Sequence, residues 1–171
     1  MCKEKVGVQG KQNFMFWARL VTCEYSQVTW VDDNFAPVVD DVSFHFLLIA
    51  MIVWDLKAKI IDVETAFLHG ELKEIFMSIP PGMEADKDEC LTLKKTIYGL
   101  VQSSRHFYMK LVEALESCGF KASQIDGFLW IKTTSSGIAL MAIYVDNWLT
   151  IGTDEAINEV IESLKDHGFG F

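Results

Sequence analysis

Residues 138 to 153 read IALMAIYVDNWLTIGT, two runs of apolar and β-branched side chains parted by Asp146 and Asn147. An Asp-Asn pair between β-prone runs predicts a tight hairpin, because both residues tolerate the positive φ that such turns need. The hairpin commits the chain to an antiparallel sheet and holds Asp146 at a rigid tip, as a metal ligand should be held. Two readings stay open at this point. The pair serves the turn alone, or Asp146 meets a second carboxylate from elsewhere and does chemistry.

The flanking segments supply the rest of a sheet and its cover. From Asp40 and Asp41, possible N-caps, the run VSFHFLLIAMIVW predicts a buried helix over 42–54, without Gly or Pro. LKAKIIDV at 56–63 predicts a strand with Asp62 at its end, after which ETAFLHG leaves the strand and stops at Gly70. IFMSI (75–79) and CLTLK (90–94) predict a small hairpin across a loop containing Pro80, Pro81 and Gly82. Ser103 or Ser104 caps a helix to Cys118, with Phe107, Leu111, Leu115 and Cys118 on one face and Gly119 as its stop. FLWIKT (128–133), a turn at 135–137 and the opening stretch form the hairpin region. Thr153 or Asp154 then caps a last helix carrying Ile157, Val160, Ile161 and Leu164 on one face. The expected fold class is α+β, an antiparallel sheet with its helices on one face.

At 171 residues, half of them hydrophobic, the chain suits one domain with a substantial core. The longest apolar run, FLLIAMIVW at 46–54, is too short to cross a bilayer, and MCKEKVGVQGKQ lacks a signal peptide's apolar stretch. The expectation is a soluble intracellular protein with no membrane partner. Cys2, Cys23, Cys90 and Cys118 are scattered without a CxxC pair, which suggests neither a zinc site nor a disulfide framework. A formal charge of −9 argues against nucleic-acid binding by overall attraction. The local exception runs from Leu91 to Lys110: Lys94, Lys95, Arg105, Lys110 and His106 with no acidic residue, and Tyr98, Phe107 and Tyr108 interleaved. Such a strip can follow a phosphate backbone, or be a solvated helix face.

Asp62 and Asp146 stand 84 positions apart, and in a split β-α-β sheet their strands can lie side by side. Converging carboxylates there can bind Mg²⁺, whose remaining ligands are waters and phosphate oxygens. The blocks ARLVTCEYSQ (18–27), NFAPVV (34–39), IIDVETAFLHGELKEIFMSIPPGM (60–83), LTLKKTIYGLVQSSRHFYMKL (91–111) and YVDNWLTIGT (144–153) together resemble the reverse transcriptase domain of copia-type LTR retrotransposons. They cover nearly the whole chain in the family's order.

The resemblance implies the fingers and palm of a right-hand polymerase, an RNA-directed DNA polymerase with two Mg²⁺, acting on an RNA or DNA template-primer and a dNTP. Asp62 resembles the first metal-binding aspartate, and Asp146 the first aspartate of the Tyr-Val-Asp-Asp hairpin, with Asn147 in the place of the second. Phe67 resembles the aromatic gate against a 2′-hydroxyl, and is otherwise a core phenylalanine. Arg19 resembles the basic residue near the triphosphate, where a guanidinium grips phosphate bidentately. Tyr98, Gly99 and Gln102 resemble the strip beneath nucleotide and template. By the resemblance, residues 1–171 are one partial fingers and palm domain, acting in a cytoplasmic particle or the nucleus, with thumb and RNase H regions absent.

Departures bear on activity. Asn147 takes a negative charge from the metal cluster, and an amide oxygen is a weaker ligand for a hard cation. Trp17, Val101 and Ser104 stand where the family has a basic residue, a lysine and a proline, and LKEIF is one glutamate short. These imply a decayed or fragmentary copy with activity reduced or lost. The rival readings are a non-catalytic nucleic-acid-binding remnant that keeps only the basic and aromatic strip, and a small α+β interaction module whose Asp-Asn turn is structural.

Overall fold

The computed structural model describes residues 3–5, 15–17, 20–22, 27, 37–80, 82–84, 86 and 88–171. Arg19, one of the candidate nucleotide-side residues, lies outside them, and only the backbone strand of Trp17 is described.

Strands β1 (Lys3–Lys5) and β2 (Met15–Trp17) pair antiparallel. Helix α1 spans Asp41–Val53, and Asp40 caps it by accepting a hydrogen bond from the Val42 N–H at 2.8 Å. β3 (Lys57–Asp62) follows, then a 3₁₀ turn over Ala66–His69. β4 (Glu71–Met77) and β5 (Leu91–Lys95) form their own two-stranded sheet, pairing Ile75 with Leu93 as expected, although β4 starts earlier than the hydrophobic pattern indicates. Helix α2 spans Ser103–Ser117, followed by β6 (Lys121–Ala122), β7 (Leu129–Thr134), β8 (Gly137–Tyr144) and β9 (Asn147–Gly152). Helix α3 closes the chain over Asp154–Asp166, with Thr153 Oγ1 accepting from the Ala156 N–H.

The main sheet has five antiparallel strands in the order β3-β9-β8-β7-β6, so the chain is α+β as expected. Its helices are not confined to one face. α2 and α3 cover one side, where Phe107, Leu111, Leu115, Val160 and Leu164 meet Ile61, Met141, Ile143 and Trp148. α1 covers part of the other, where Leu47 packs with Val39, Leu129, Leu140, Ala142 and Ile151. The cause is β8 itself: Ala139, Met141 and Ile143 point one way while Leu140 and Ala142 point the other, so both faces need cover.

Two further expectations need correction. α1 is not a buried helix: of its residues only Leu47 and Ala50 are buried, because an all-apolar run has no polar side to reveal which stripe packs. Nor do Ser103 or Ser104 cap α2, since the N-cap is Gln102 and buried Ser103 instead donates its hydroxyl to the Ile97 carbonyl at 2.6 Å. Among the described residues no helix is long and apolar enough to cross a membrane.

Candidate functional site

The β8–β9 turn forms one residue earlier than the Asp-Asn pair indicates. Its loop residues are Val145 and Asp146, while Asn147 already belongs to β9 and pairs with Tyr144. Burial decides this register: Trp148 is fully buried opposite Ile143 and Ile61, and a one-residue slip would turn the indole to the other face. The cost falls on Val145, a β-branched residue at φ 54°, a conformation worth roughly 1–3 kcal/mol of strain. The surroundings hold it there. The Val145 N–H donates to the Pro37 carbonyl at 2.7 Å, the Trp148 indole N–H to the Val145 carbonyl at 3.3 Å, and the Val63 N–H to the Asp146 carbonyl at 3.0 Å.

That last bond ties the tip to the end of β3. Asp62 lies directly across from Asn147 in the β3–β9 register, so their side chains share the α1 face of the sheet, with Asp146 one residue before. Asp62 and Asn147 are exposed and Asp146 is half-buried. The Asn147 amide Nδ2 donates to Asp146 Oδ1 at 2.9 Å. Two carboxylates could not make that bond, and it occupies an oxygen that a cation would need. Paired carboxylates on neighbouring strands suit Mg²⁺, which takes its other ligands from water and phosphate. Among the described residues no group of three or more His, Cys, Asp or Glu side chains could hold a metal ion by itself.

At Asn147 the open part of this face forms an apolar cavity of about 230 Å³, lined also by Val39, Phe44, Ile60, Ala142, Tyr144, Trp148 and Leu149. Phe67 does not line it. Its half-buried ring sits edge-on between Tyr98, at 4.6 Å between centroids, and the buried Phe107, at 6.2 Å.

The Tyr98–Gln102 turn is anchored from far away in the chain. Gly99 has φ 87°, and a Cβ there would meet the Thr22 carbonyl oxygen, so only glycine fits. The Thr22 N–H donates to the Tyr98 carbonyl at 2.9 Å. Gln27 accepts from the Val101 N–H at 3.1 Å and donates to Gln102 Oε1 at 2.8 Å. Thr22 and Gln27 fall within the quoted 18–27 block, yet no local pattern marks them as partners of a turn some 75 positions on.

The basic and aromatic strip is only partly realised. Lys94, Lys95 and Arg105 are exposed, whereas Lys110 pairs with Glu113 at 2.8 Å. Phe107 is wholly buried. Tyr108 packs on Phe128 and donates its hydroxyl to the Gly127 carbonyl, and burial pushes its pKa up. The inward face of α2 claims the Phe107 ring for the core, while Tyr98 and Tyr108 are half-buried.

Sequence reasoning missed Asp126. Its carboxylate accepts from the Asp40 N–H and the Phe128 N–H, both at 2.9 Å, fastening the start of α1 to the start of β7. Burial pushes its carboxyl upward, but these hydrogen bonds outweigh burial and hold it below the usual aspartate value.

Residues 3–169 match the family model described as reverse transcriptase (RNA-dependent DNA polymerase). The chain is 34% identical over 146 residues to the retrovirus-related Pol polyprotein from transposon TNT 1-94 of Nicotiana tabacum, covering 82% of this chain and 11% of that protein. It is 36% identical over 146 residues to the Pol polyprotein from transposon RE2 of Arabidopsis thaliana, covering 82% and 10%. For transposon RE1 of the same plant the figures are 34% over 163 residues, 88% and 11%. The chain belongs to the reverse transcriptase family of copia-type retrotransposon Pol polyproteins. It spans about a tenth of the length of these curated relatives. No solved structure matches it.

Proposed function

We propose that this chain is the palm and part of the fingers of an RNA-directed DNA polymerase, with Asp62 and Asp146 as the metal-binding carboxylates and Asn147 as a lesion between them. The observation that carries the reading is the β3–β9 register, with Asp62 across from Asn147 and the Val63 N–H bonded to the Asp146 carbonyl. Bound Mg²⁺ would supply charge neutralisation at the triphosphate and a lowered pKa at the primer hydroxyl. The chain's own part is positioning. β3 and the strained turn hold two carboxylates at one end of the open face, and Gln102 is braced by Gln27. On this reading Arg19 and Gln102 address the dNTP, Phe67 excludes a 2′-hydroxyl, and Lys94, Lys95 and Arg105 steer the template-primer. The site would work inside the cell, in a particle or the nucleus, without a membrane partner.

Asn147 weakens the site in two ways. It removes a full charge, and its amide N–H competes for Asp146 Oδ1. Loss of one well-placed electrostatic group at an active site commonly costs ~2.7–4 kcal/mol, a hundredfold to a thousandfold in rate. The test is Mg²⁺-dependent primer extension on an RNA template, comparing the Asn147 chain with Asn147→Asp, each joined to the downstream segments of a Pol relative. Extension should be little or absent with Asn147 and partly restored by Asn147→Asp. Equal extension by the two would show that Asn147 is no lesion.

A further inference from the structure

The outer face of α1 has no role in the site described above. Val42, Phe46, Ile49, Ile52, Val53 and Trp54 are each between 55 and 77% exposed, on a helix region that buries only Leu47 and Ala50. Together they present roughly 700 Å² of apolar side chain, taking typical side-chain areas, where the largest apolar patch on a monomer is about 300–600 Å². Val42, Phe46, Ile49 and Val53 are spaced four, three and four apart, which sets them in one stripe along the helix.

The chemistry of the face narrows what can cover it. A nucleic acid needs cations, and DVSFHFLLIAMIV contains no Lys or Arg. A membrane-surface helix needs basic residues flanking its apolar side, which α1 lacks, and a chain of charge −9 is repelled by anionic lipid. An apolar stripe on another helix fits. The four-three-four spacing reads the same in reverse, so the stripe is complementary to itself about a two-fold axis. Set antiparallel, Val42 faces the partner's Val53 and Phe46 faces the partner's Ile49, while each helix N-terminus lies by the other's C-terminus, where the dipoles attract. The four stripe residues supply roughly 400 Å² of this per copy, which lies at the small end of specific interfaces and suits a reversible dimer.

We propose that two copies of this chain associate through antiparallel packing of α1 on α1 about the Val42, Phe46, Ile49 and Val53 stripe. The test is sedimentation velocity of the 171-residue chain across a concentration series, with far-ultraviolet circular dichroism to verify folding. A reversible monomer–dimer equilibrium is expected. Ile49→Glu, and independently Val53→Glu, should raise the midpoint concentration at least tenfold with the spectrum unchanged. Ile125→Glu, at a side chain 95% exposed elsewhere, should leave the midpoint alone. The double variant Phe46→Lys/Ile49→Glu places opposite charges across the axis and should regain dimer relative to either single change. A chain that stays monomeric throughout overturns the proposal, including the case where α1 resists surface labelling because another part of the same chain covers it. So does a dimer indifferent to Ile49→Glu and Val53→Glu, or one weakened equally by Ile125→Glu. Failure of the double variant to recover overturns the antiparallel register.

Discussion

The two faces of the main sheet are built from the same strands and are finished differently. On the α2/α3 side, Trp148, Phe107, Leu111, Met141 and Ile143 are fully buried and the surface is closed. On the α1 side, Leu47 is fully buried, yet Ile60 is 71% exposed and a cavity of about 230 Å³ opens beside Asn147. One face therefore stabilises the fold, and the other leaves its strand ends, with Asp62, Asp146 and Asn147, open to solvent. A substitution should be felt according to the face it strikes.

The largest expected effect is on the closed face. Trp148→Ala should cost ~3–5 kcal/mol in denaturant unfolding, because it leaves a cavity where the indole meets Phe169 and Phe171 and removes the hydrogen bond to the Val145 carbonyl. A loss below about 1 kcal/mol would mean that this face is not the packed one. Asp126→Asn, at the junction that seats α1, should cost ~1–3 kcal/mol, since carboxylate hydrogen bonds to two backbone N–H groups are weakened. Its pH dependence has a definite sign. The folded-state pKa lies below the unfolded one, so the stabilisation is complete above the ordinary value of about 3.9 and is lost as pH falls through the folded pKa. Unfolding measured from pH 7 down to pH 2 should show the wild-type and variant curves converging only at the acid end. Convergence near neutrality would contradict the assignment. The smallest effect belongs to the open face, where Ile60→Thr should change stability by less than about 0.5 kcal/mol.

What was legible in the sequence follows the same division. α3 could be placed because Ile157, Val160, Ile161 and Leu164 recur at helical spacing against polar neighbours, and all four are buried. α1 could not be oriented, since an unbroken apolar run carries no such contrast. Asp146 and Asn147 suggested their own turn, but the buried Trp148 sets the register and moves the bend onto Val145, which by its side chain is a poor candidate for positive φ. Phe107 and Tyr108 looked like part of a binding strip because the basic residues beside them were visible and the core they enter was not. The pairing of Asp62 with the hairpin was legible as two strand ends whose neighbours matched a family pattern. The braces at Thr22, Gln27 and Asp126 act across long stretches of chain, and nothing local announces them.

The central claim is that the open face ends in a disabled cation site. The most direct measurement is the Mn²⁺ affinity, read by electron paramagnetic resonance, of the chain as it stands, of Asn147→Asp and of Asn147→Asp/Asp62→Asn. Restoring the carboxylate removes the amide donor from Asp146 Oδ1 and adds a charge beside it, so Asn147→Asp should bind at least about tenfold more tightly, near 1.4 kcal/mol. The double variant should lose that gain, because on the proposed reading Asp62, across from position 147 on β3, supplies the opposing ligand. Equal affinity in all three would contradict the account and leave the turn as structure alone.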